Sequence, residues 1–424
     1  MRVYGRTTVH EFLGDFIVYR NLEPLDKRLP SLDDVREEAN IPQDVTPRKT
    51  QPSYARAIVQ LLQAARELDA PGTTLERLIY IGDTRMNDGI AFANVARAGD
   101  WTGLAFTASE TDEPAPPEIT TQGEGKLYLS NRWDAIGHFE QFCREQNFVI
   151  DAQTAVILDL DKTTFGARGR NDHVINQARV EAVRRTVGDL IGEAFDPAAF
   201  HNAYEELNQT AYHPFTADNQ DYLAYVCLIL ASGLYEPDEL TERVHSGEMT
   251  CFEQFIDEVD KCDGRIPSSL REIHEHIHAL VQEGDPTPFK AFRYNEYHTT
   301  VERMGCLSDE ASVQELLTKE IVITQEVRET ALRWKAEGAL LFGLSDKPDE
   351  ASIPTYKSAA RGHRSIHRVE THAVGTNSTG VTNWQNGIKA ALTPVSTNPI
   401  LLKLDRQRKF KSGYLFIPRG RSGI

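Results

Sequence analysis

The sequence predicts an α/β fold of three layers, in which helices cover a parallel sheet and a separate all-helical domain is inserted. Three short apolar runs have the length and composition of buried strands, namely residues 78–81, 155–160 and 339–344. Segments with helical periodicity separate them, and strands that alternate with helices are typical of a parallel sheet covered on both faces. The helical block over about 174–335 is too long for one crossover, so it predicts a domain of its own.

The elements before the second long strand follow from periodicity and from breaker residues. A helix is predicted over residues 52–69, where apolar side chains recur at helical spacing: Ala55, Ile58, Val59, Leu62 and Ala65. The first apolar run ends at Gly82. Residues 108–124 are rich in Glu, Pro, Thr and Gly and predict an exposed loop or linker. A short strand over 127–129 and a helix over 133–146 follow.

The predicted organisation has a core made of two parts, a helical cap and a tail. Residues 1–172 and 323–375 are expected to form the α/β core, and residues 173–322 the helical domain. Residues 376–424 are a tail of uncertain structure, because Thr, Ser and Asn crowd its first half. Residues 401–424 carry seven Lys or Arg residues and one Asp, and we assign no chemistry to this segment.

Length, charge and composition exclude several classes of protein. A chain of 424 residues can form two or three domains, and 40% hydrophobic with 26% charged residues is ordinary for a soluble protein. The sequence has no run of about 18 apolar residues, which argues against a membrane-spanning protein. It has no apolar signal-peptide core at its N-terminus, which argues against a secreted one. Five scattered cysteines form no metal-type pair, which predicts a cytoplasmic protein without disulfides. The net charge of −17 disfavours nucleic acids and anionic membranes as partners.

Two carboxylates, Asp159 and Asp161, stand at the end of the second apolar run. Open α/β sheets bind ligands at the carboxyl ends of their strands, where these two side chains can converge on one site. Neighbouring carboxylates repel each other, whereas a hard cation such as Mg²⁺ lets one act as ligand and nucleophile and the other as acid/base. The competing interpretation is a solvated Asp-rich turn, which would not require an apolar strand before it.

Two more strand ends carry polar side chains. The first run ends in Gly82 and Asp83, and Asp88 follows one tight turn later, where it can return to the same side. Taken alone, this pattern also fits the N-cap of a helix. The third run is followed by Ser345 and Lys347, a hydroxyl and a cation suited to holding a phosphate, although a simple turn has the same composition.

Together these motifs resemble the haloacid dehalogenase superfamily of phosphohydrolases. The pattern of that family has an apolar strand ending in Asp-x-Asp-x-Thr, a second ending in Ser or Thr, a Lys before the last acidic motif, and a strand ending in Gly-Asp-x-x-x-x-Asp. The residues of this chain that match are Asp159, Asp161, Thr163, Ser345, Gly82, Asp83 and Asp88. The resemblance covers about residues 45–110, 150–172 and 323–375, and it implies a Rossmann-like core with a cap domain.

The order of the motifs departs from that of the family. There the Gly-Asp strand comes last, whereas here it precedes the Asp-x-Asp strand by 76 residues. Either the core is circularly permuted, or residues 1–120 are the remnant of a second domain. We favour permutation, because no second Gly-Asp strand follows Ser345. Permutation predicts that the strands ending at Ile81 and Leu158 are parallel neighbours with their carboxyl ends at one edge.

The resemblance implies a Mg²⁺-dependent phosphatase that hydrolyses a small phosphomonoester through an aspartyl-phosphate, with Asp159 as nucleophile and Asp161 as acid/base. The metal ligands that it implies are Asp159, the backbone carbonyl of Asp161, Asp83 and Asp88. The phosphate-binding residues that it implies are Thr163, Ser345 and either Lys49 or Lys347. Lys49 is a candidate because it begins the helix before the Gly-Asp strand, which is the place of the family's phosphate-binding Lys.

Other functions stay open at this point. The second acid favours phosphoryl transfer over dehalogenation, which needs only the nucleophilic Asp. A phosphomutase uses the same two acids and is an alternative, and so is a non-catalytic scaffold protein whose helical domain and basic tail bind a partner. A nucleic-acid end phosphatase is disfavoured, because residues 1–400 carry a net charge of −23. The pattern predicts neither the substrate's identity nor the oligomeric state.

Overall fold

A computed structural model of the chain describes residues 1–43, 45–217, 219–262 and 265–377, so the predicted tail lies almost wholly outside the described residues. The structure is mixed α/β, with one seven-stranded sheet, one three-stranded sheet and many helices. Among the helices that it describes, none combines the length and the apolar composition needed to cross a membrane.

The described residues form ten strands in two sheets. In chain order the strands are β1 (Arg2–Thr7), β2 (Ile17–Val18), β3 (Arg77–Gly82), β4 (Thr102–Ala108), β5 (Glu118–Gln122), β6 (Gly125–Ser130), β7 (Thr154–Asp159), β8 (Ile323–Thr324), β9 (Leu340–Leu344) and β10 (Thr371–Gly375). The main sheet has the spatial order β2-β9-β7-β3-β4-β6-β5, and the second sheet has the order β1-β10-β8. Within the main sheet, all neighbouring pairs are parallel except β5 and β6.

The same residues form sixteen α-helices. They are α1 (His10–Leu13), α2 (Leu32–Ala39), α3 (Pro52–Asp69), α4 (Asn87–Gly99), α5 (Ile136–Glu145), α6 (Asp172–Ile191), α7 (Pro197–Leu207), α8 (His213–Thr216), α9 (Gln220–Ala231), α10 (Pro237–Ser246), α11 (Phe252–Lys261), α12 (Ser268–Gln282), α13 (Lys290–Val301), α14 (Val313–Lys319), α15 (Gln325–Ala336) and α16 (Tyr356–Ala359). Short 3-10 helices lie at Trp133–Ala135, Gly192–Ala194, Thr210–Tyr212, Asp349–Ala351 and Ile366–Arg368.

The central strands β3, β7 and β9 are buried along almost their whole length. Successive side chains point to opposite faces of the sheet. Ile79 and Val156 belong to an apolar cluster with side chains of α1, α5 and α15 on one face. Ile157 and Phe342 belong to a second cluster with α2, α3 and α4 on the other face. Helices therefore cover both faces, which explains why these strands are continuous apolar runs.

The three predicted strands are confirmed as β3, β7 and β9, and the helix predicted over residues 52–69 is α3. In the sheet β7 lies between the other two strands. β3 and β7 pair in parallel with Ile81 opposite Leu158, which confirms that these two strands are neighbours. The Gly-Asp and Asp-x-Asp strands thus lie side by side in one sheet, contrary to the alternative of a separate domain for residues 1–120.

The expectation of a loop or linker over residues 108–124 is wrong in its second half. There β5 pairs with β6 as an antiparallel hairpin, with Gly123 at the turn in a left-handed conformation (φ +62°) that glycine adopts readily. The sequence of β5 is Glu-Ile-Thr-Thr-Gln and the strand is half exposed, so it lacks the apolar signal that reveals the buried strands.

The sequence patterns also do not predict β1, β2 and β10. β1 pairs antiparallel with β10, and β10 pairs in parallel with β8. β2 has only two residues and places Ile17 opposite Gly343 of β9. β1 is half exposed, β2 has two residues, and β10 is buried but begins with the polar residues Thr371 and His372. β1 and β10 pair with each other and β2 pairs with β9, so these strands depend on partners far away in the chain, which a local pattern cannot reveal. The segments 1–172 and 323–375 consequently share both sheets.

The long block between β7 and β9 is helical as predicted, except for the two residues of β8. Helices α7, α9, α11 and α12 pack around an apolar core of their own. α6 and α13 lie alongside each other and join this core to the sheet. In α6, for example, Val183 belongs to the helical core and Val174 to the core at the main sheet.

Candidate active site

Three carboxylates meet at the carboxyl ends of β3 and β7. Asp159 is the last residue of β7, Asp83 follows β3 directly, and Asp88 lies in the first turn of α4. Because β3 and β7 are parallel neighbours, their ends lie at the same edge of the sheet. One carboxylate oxygen from each of these residues lies within 4.8 Å of the others. We call Asp83, Asp88 and Asp159 the carboxylate trio.

The local sequence explains how Asp88 reaches the strand end. Its Oδ2 accepts hydrogen bonds from the backbone N–H of Asp83 (3.0 Å) and of Thr84 (2.8 Å), and from the Thr84 hydroxyl (2.9 Å). A Cβ atom at position 82 would lie 2.5 Å from Asp88 Cγ, which is far too close. Gly82 therefore leaves the space that the Asp88 carboxylate occupies.

Lys49 lies between two members of the trio. Its Nζ donates to Asp88 Oδ1 at 2.6 Å and to Asp159 Oδ1 at 2.7 Å, and the residue is only 4% exposed. The Tyr80 hydroxyl donates a further hydrogen bond to Asp88 Oδ1 at 3.3 Å. Burial works against a charge on Lys49, but Asp159 and Asp88 outweigh it and hold its pKa well above the usual value.

Burial and mutual repulsion disturb the three carboxylates differently. Burial acts to raise the pKa of Asp88, but the charge and hydrogen bond of Lys49 overcome this and lower it to about 2. Burial together with the charge of Asp88 raises the pKa of Asp83 to about 7, although Arg168 Nε donates to its carboxylate. Burial raises the pKa of Asp159 well above its usual value, Lys49 opposes this, and the other two carboxylates add to it.

The trio fits a hard divalent cation. Its donors are all carboxylate oxygens, which Mg²⁺ prefers, and they are already gathered at one point. Lys49 and Arg168 supply two positive charges to three carboxylates, so one negative charge is not offset by these partners. Burial and the charge of Asp88 therefore raise the pKa of Asp83 even though Arg168 pairs with it.

Asp161 faces a different set of charges from the trio. Its carboxylate oxygens lie 3.6 Å from Arg179 Nη2 and 4.0 Å from Lys347 Nζ. Lys347 Nζ in turn lies 3.2 Å from Glu296 Oε1 and donates to the Thr300 hydroxyl at 3.4 Å. Of the four residues predicted as metal ligands, three thus share a carboxylate cluster, whereas the side chain of Asp161 is not part of it.

Glu296 on α13 holds three cations in place and was missed by the sequence analysis. It is fully buried, and its carboxylate binds Arg179 Nε (3.2 Å), Arg293 Nη1 (2.6 Å) and Lys347 Nζ (3.2 Å). Burial acts to raise its pKa, but Lys347, Arg293 and Arg179 lower it far below the usual range. The only sequence signal was Arg293 three residues before Glu296 on a helix, which is a common surface pattern.

Two of the predicted phosphate-binding residues lie behind the site. The Ser345 hydroxyl accepts the backbone N–H of Lys347 at 3.0 Å, so it fixes the loop that carries this lysine. The Thr163 hydroxyl is buried and has no hydrogen-bond partner among the described residues. Neither residue is among the described residues that line the cavity into which the trio opens. Their phosphate-binding role stays a prediction.

The trio opens into a cavity of about 550 Å³ between the sheet edge and the helical block. Both lysines predicted to bind phosphate, Lys49 and Lys347, line it, as does Asp161. Among the described residues that line it, eight are basic, namely Arg20, Arg48, Lys49, Lys162, Arg168, Arg179, Arg293 and Lys347. Five of the described lining residues are acidic, namely Asp83, Asp88, Asp159, Asp161 and Asp346. Basic residues therefore outnumber acidic ones among the described residues that line the cavity, in a chain whose net charge is −17, which favours an anionic ligand.

Comparison with known proteins adds no relative. No protein-family model, no curated protein and no solved structure matches the chain. The function has to be inferred from the chemistry of the carboxylate trio and the cavity around it.

Proposed function

We propose that the protein is a Mg²⁺-dependent phosphohydrolase of the haloacid dehalogenase type, with a permuted order of motifs and a helical cap. The carboxylate trio carries the proposal, since it joins Asp159 to Asp83 and Asp88 at one sheet edge as the permuted motifs require. The excess of cations in the cavity supports a phosphomonoester as substrate. The cap would be the helical block beside the cavity, which supplies residues such as Arg179 and Arg293.

In the proposed reaction the Asp159 carboxylate attacks phosphorus in line, an aspartyl-phosphate forms, and the ester P–O bond breaks. Asp161 gives a proton to the leaving oxygen and later takes one from the water that hydrolyses the aspartyl-phosphate. The metal would be held by Asp159, Asp83, Asp88 and the backbone carbonyl of Asp161. When bound, Mg²⁺ supplies positive charge that offsets the repulsion between the trio and a phosphate dianion.

Cations around the trio support binding of the phosphoryl group. Lys49 contacts the proposed nucleophile, and Lys347 lies beside the proposed acid/base, Asp161. Fixed cations of this kind stabilise the charge that spreads over the phosphoryl oxygens in the transition state. Glu296 keeps Lys347 and Arg179 in fixed positions, so it is a positioning residue in this proposal.

The first test is hydrolysis of p-nitrophenyl phosphate by the metal-free protein. We expect turnover with added Mg²⁺ and none above background in EDTA, because the trio repels the phosphate dianion when no metal is bound. Equal turnover in EDTA and in Mg²⁺ would rule out the proposed mechanism. If a panel of phosphomonoesters gives no turnover under either condition, the non-catalytic alternative is favoured instead.

The replacement Glu296→Gln tests the positioning of the cations. It removes the charge that Arg179, Arg293 and Lys347 share, and we expect kcat/KM for p-nitrophenyl phosphate to fall by about 10²-fold, since small misplacements of binding groups have effects of that size. The loss should appear mainly as a higher KM, which a loss of folding alone would not produce. The matched control is Glu302→Gln, which affects a half-exposed ion pair with Arg185. A folded Glu296→Gln protein with kcat/KM within twofold of wild type would refute the positioning role.

A further inference from the structure

Most cations that line the cavity already have carboxylate partners. The pairs are Lys49 with Asp88 and Asp159, Arg168 with Asp83, Lys162 with Asp172, Arg179 and Lys347 with Asp161 and Glu296, and Arg293 with Asp221 and Glu296. Paired cations of this kind are held in place and are partly neutralised by the protein itself. These paired cations are the ones that surround Asp159 and Asp161.

Two arginines of the cavity differ from the others. The guanidinium groups of Arg20 and Arg48 make no hydrogen bond or ion pair with any residue in the described part of the chain. Arg20 Nη2 is buried without a partner, an arrangement that costs free energy unless an acceptor is supplied. Arg48 is exposed and immediately precedes Lys49.

The fold places these two arginines in the lining of the cavity into which the trio opens. Arg20 follows the carboxyl end of β2, and its backbone N–H donates to the Lys347 carbonyl oxygen at 3.2 Å. Arg48 lies at the turn before α3, next to the lysine that contacts Asp159. Both side chains therefore line the cavity that a phosphoryl group at Asp159 would enter.

Resting on the proposed phosphohydrolase function, we propose that the substrate carries a second phosphoryl group and that Arg20 and Arg48 bind it. Guanidinium groups suit phosphate, because they present parallel N–H donors to two of its oxygens. The charges of the cavity agree with a doubly phosphorylated ligand. Mg²⁺ bound at the trio would serve the phosphoryl group at Asp159. The guanidinium charges of Arg20 and Arg48 have no ion-pair partner among the described residues, so they stay uncompensated unless a second anionic group binds. The volume of about 550 Å³ is within the range of small-molecule sites.

The test measures binding and does not require turnover. Isothermal titration calorimetry with Mg²⁺ uses the Asp159→Asn protein and two matched pairs of compounds, fructose 1,6-bisphosphate with fructose 6-phosphate and glycerol 1,3-bisphosphate with glycerol 1-phosphate. We expect at least one bisphosphate to bind about 10-fold or more tightly than its monophosphate, as one or two charge-assisted hydrogen bonds provide. Adding Arg48→Gln or Arg20→Gln should reduce that ratio of Kd values by about 10-fold. The control is Arg97→Gln, an exposed arginine on α4 that does not line the cavity.

The outcomes separate this inference from the proposed function. If neither pair shows a preference, or if the preference survives both arginine variants, the second phosphate subsite is wrong. Hydrolysis of p-nitrophenyl phosphate by the wild-type protein would still stand in that case. If the preference depends on Arg20 or Arg48 but no phosphomonoester is hydrolysed, the subsite stands and the phosphohydrolase proposal fails.

Discussion

Replacing Asp159 with Asn should lower Mg²⁺-dependent hydrolysis of p-nitrophenyl phosphate by at least about 10³-fold, as is typical for loss of a nucleophile. Asparagine has nearly the same size and keeps an oxygen that can accept from Lys49. It lacks the carboxylate that attacks phosphorus, so the aspartyl-phosphate cannot form. Steady-state rates measure the loss, and mass spectrometry of acid-quenched wild-type protein should detect a phosphoryl group on Asp159 that the variant lacks.

The matched control for this replacement is Asp112→Asn, which changes an exposed aspartate far from the trio in sequence and outside the cavity. It should hydrolyse the ester at the wild-type rate. Circular dichroism establishes that the Asp159→Asn protein is folded. If that folded protein retains a tenth or more of the wild-type activity, Asp159 is not the nucleophile.

The second large effect concerns stability. The replacement Lys49→Met should lower the free energy of unfolding in EDTA by about 3–5 kcal/mol, because removal of one partner leaves buried charges uncompensated. Asp88 and Asp159 would then face each other without the ammonium that now contacts both. Urea unfolding followed by circular dichroism measures the difference. Lys357→Met is the control, since Lys357 is exposed.

The pH dependence of this loss has a definite sign. Without Lys49, repulsion and burial would hold the pKa values of the two carboxyls above those of the unfolded chain. A carboxyl whose pKa is raised by folding favours the folded state at low pH and loses that contribution as pH rises through its folded pKa. The Lys49→Met protein should therefore be closest to wild type near pH 5 and furthest from it near pH 8. Equal stability of the two proteins, or a loss that grows on acidification, would contradict the arrangement around Lys49.

The sequence could predict those residues of the site that stand at the ends of buried strands. β3, β7 and β9 are covered on both faces, so each is an uninterrupted apolar run and the polar residues after it stand out. Lys49 could be nominated only through the resemblance, because its distance of 34 residues from Asp83 says nothing about contact. Glu296 could not be predicted at all, since its partners come from α6, α13 and the loop after β9. The pairing of β2 with β9 likewise depends on residues at opposite ends of the described chain.

The sheet order has a consequence for synthesis on the ribosome. β7 lies between β3 and β9, and its register with β9 places Asp159 opposite Leu344. The chain emerges N-terminus first, so β7 is complete while the helices from α6 to α14 and then β9 are still to be made. During that interval one side of β7 is an open edge of apolar sequence, which can pair with other nascent chains. The helical block has a contiguous apolar core and can fold while β7 is still without its partner strand β9. Slower elongation through this block therefore lengthens the time for which the strand bearing Asp159 is exposed to aggregation.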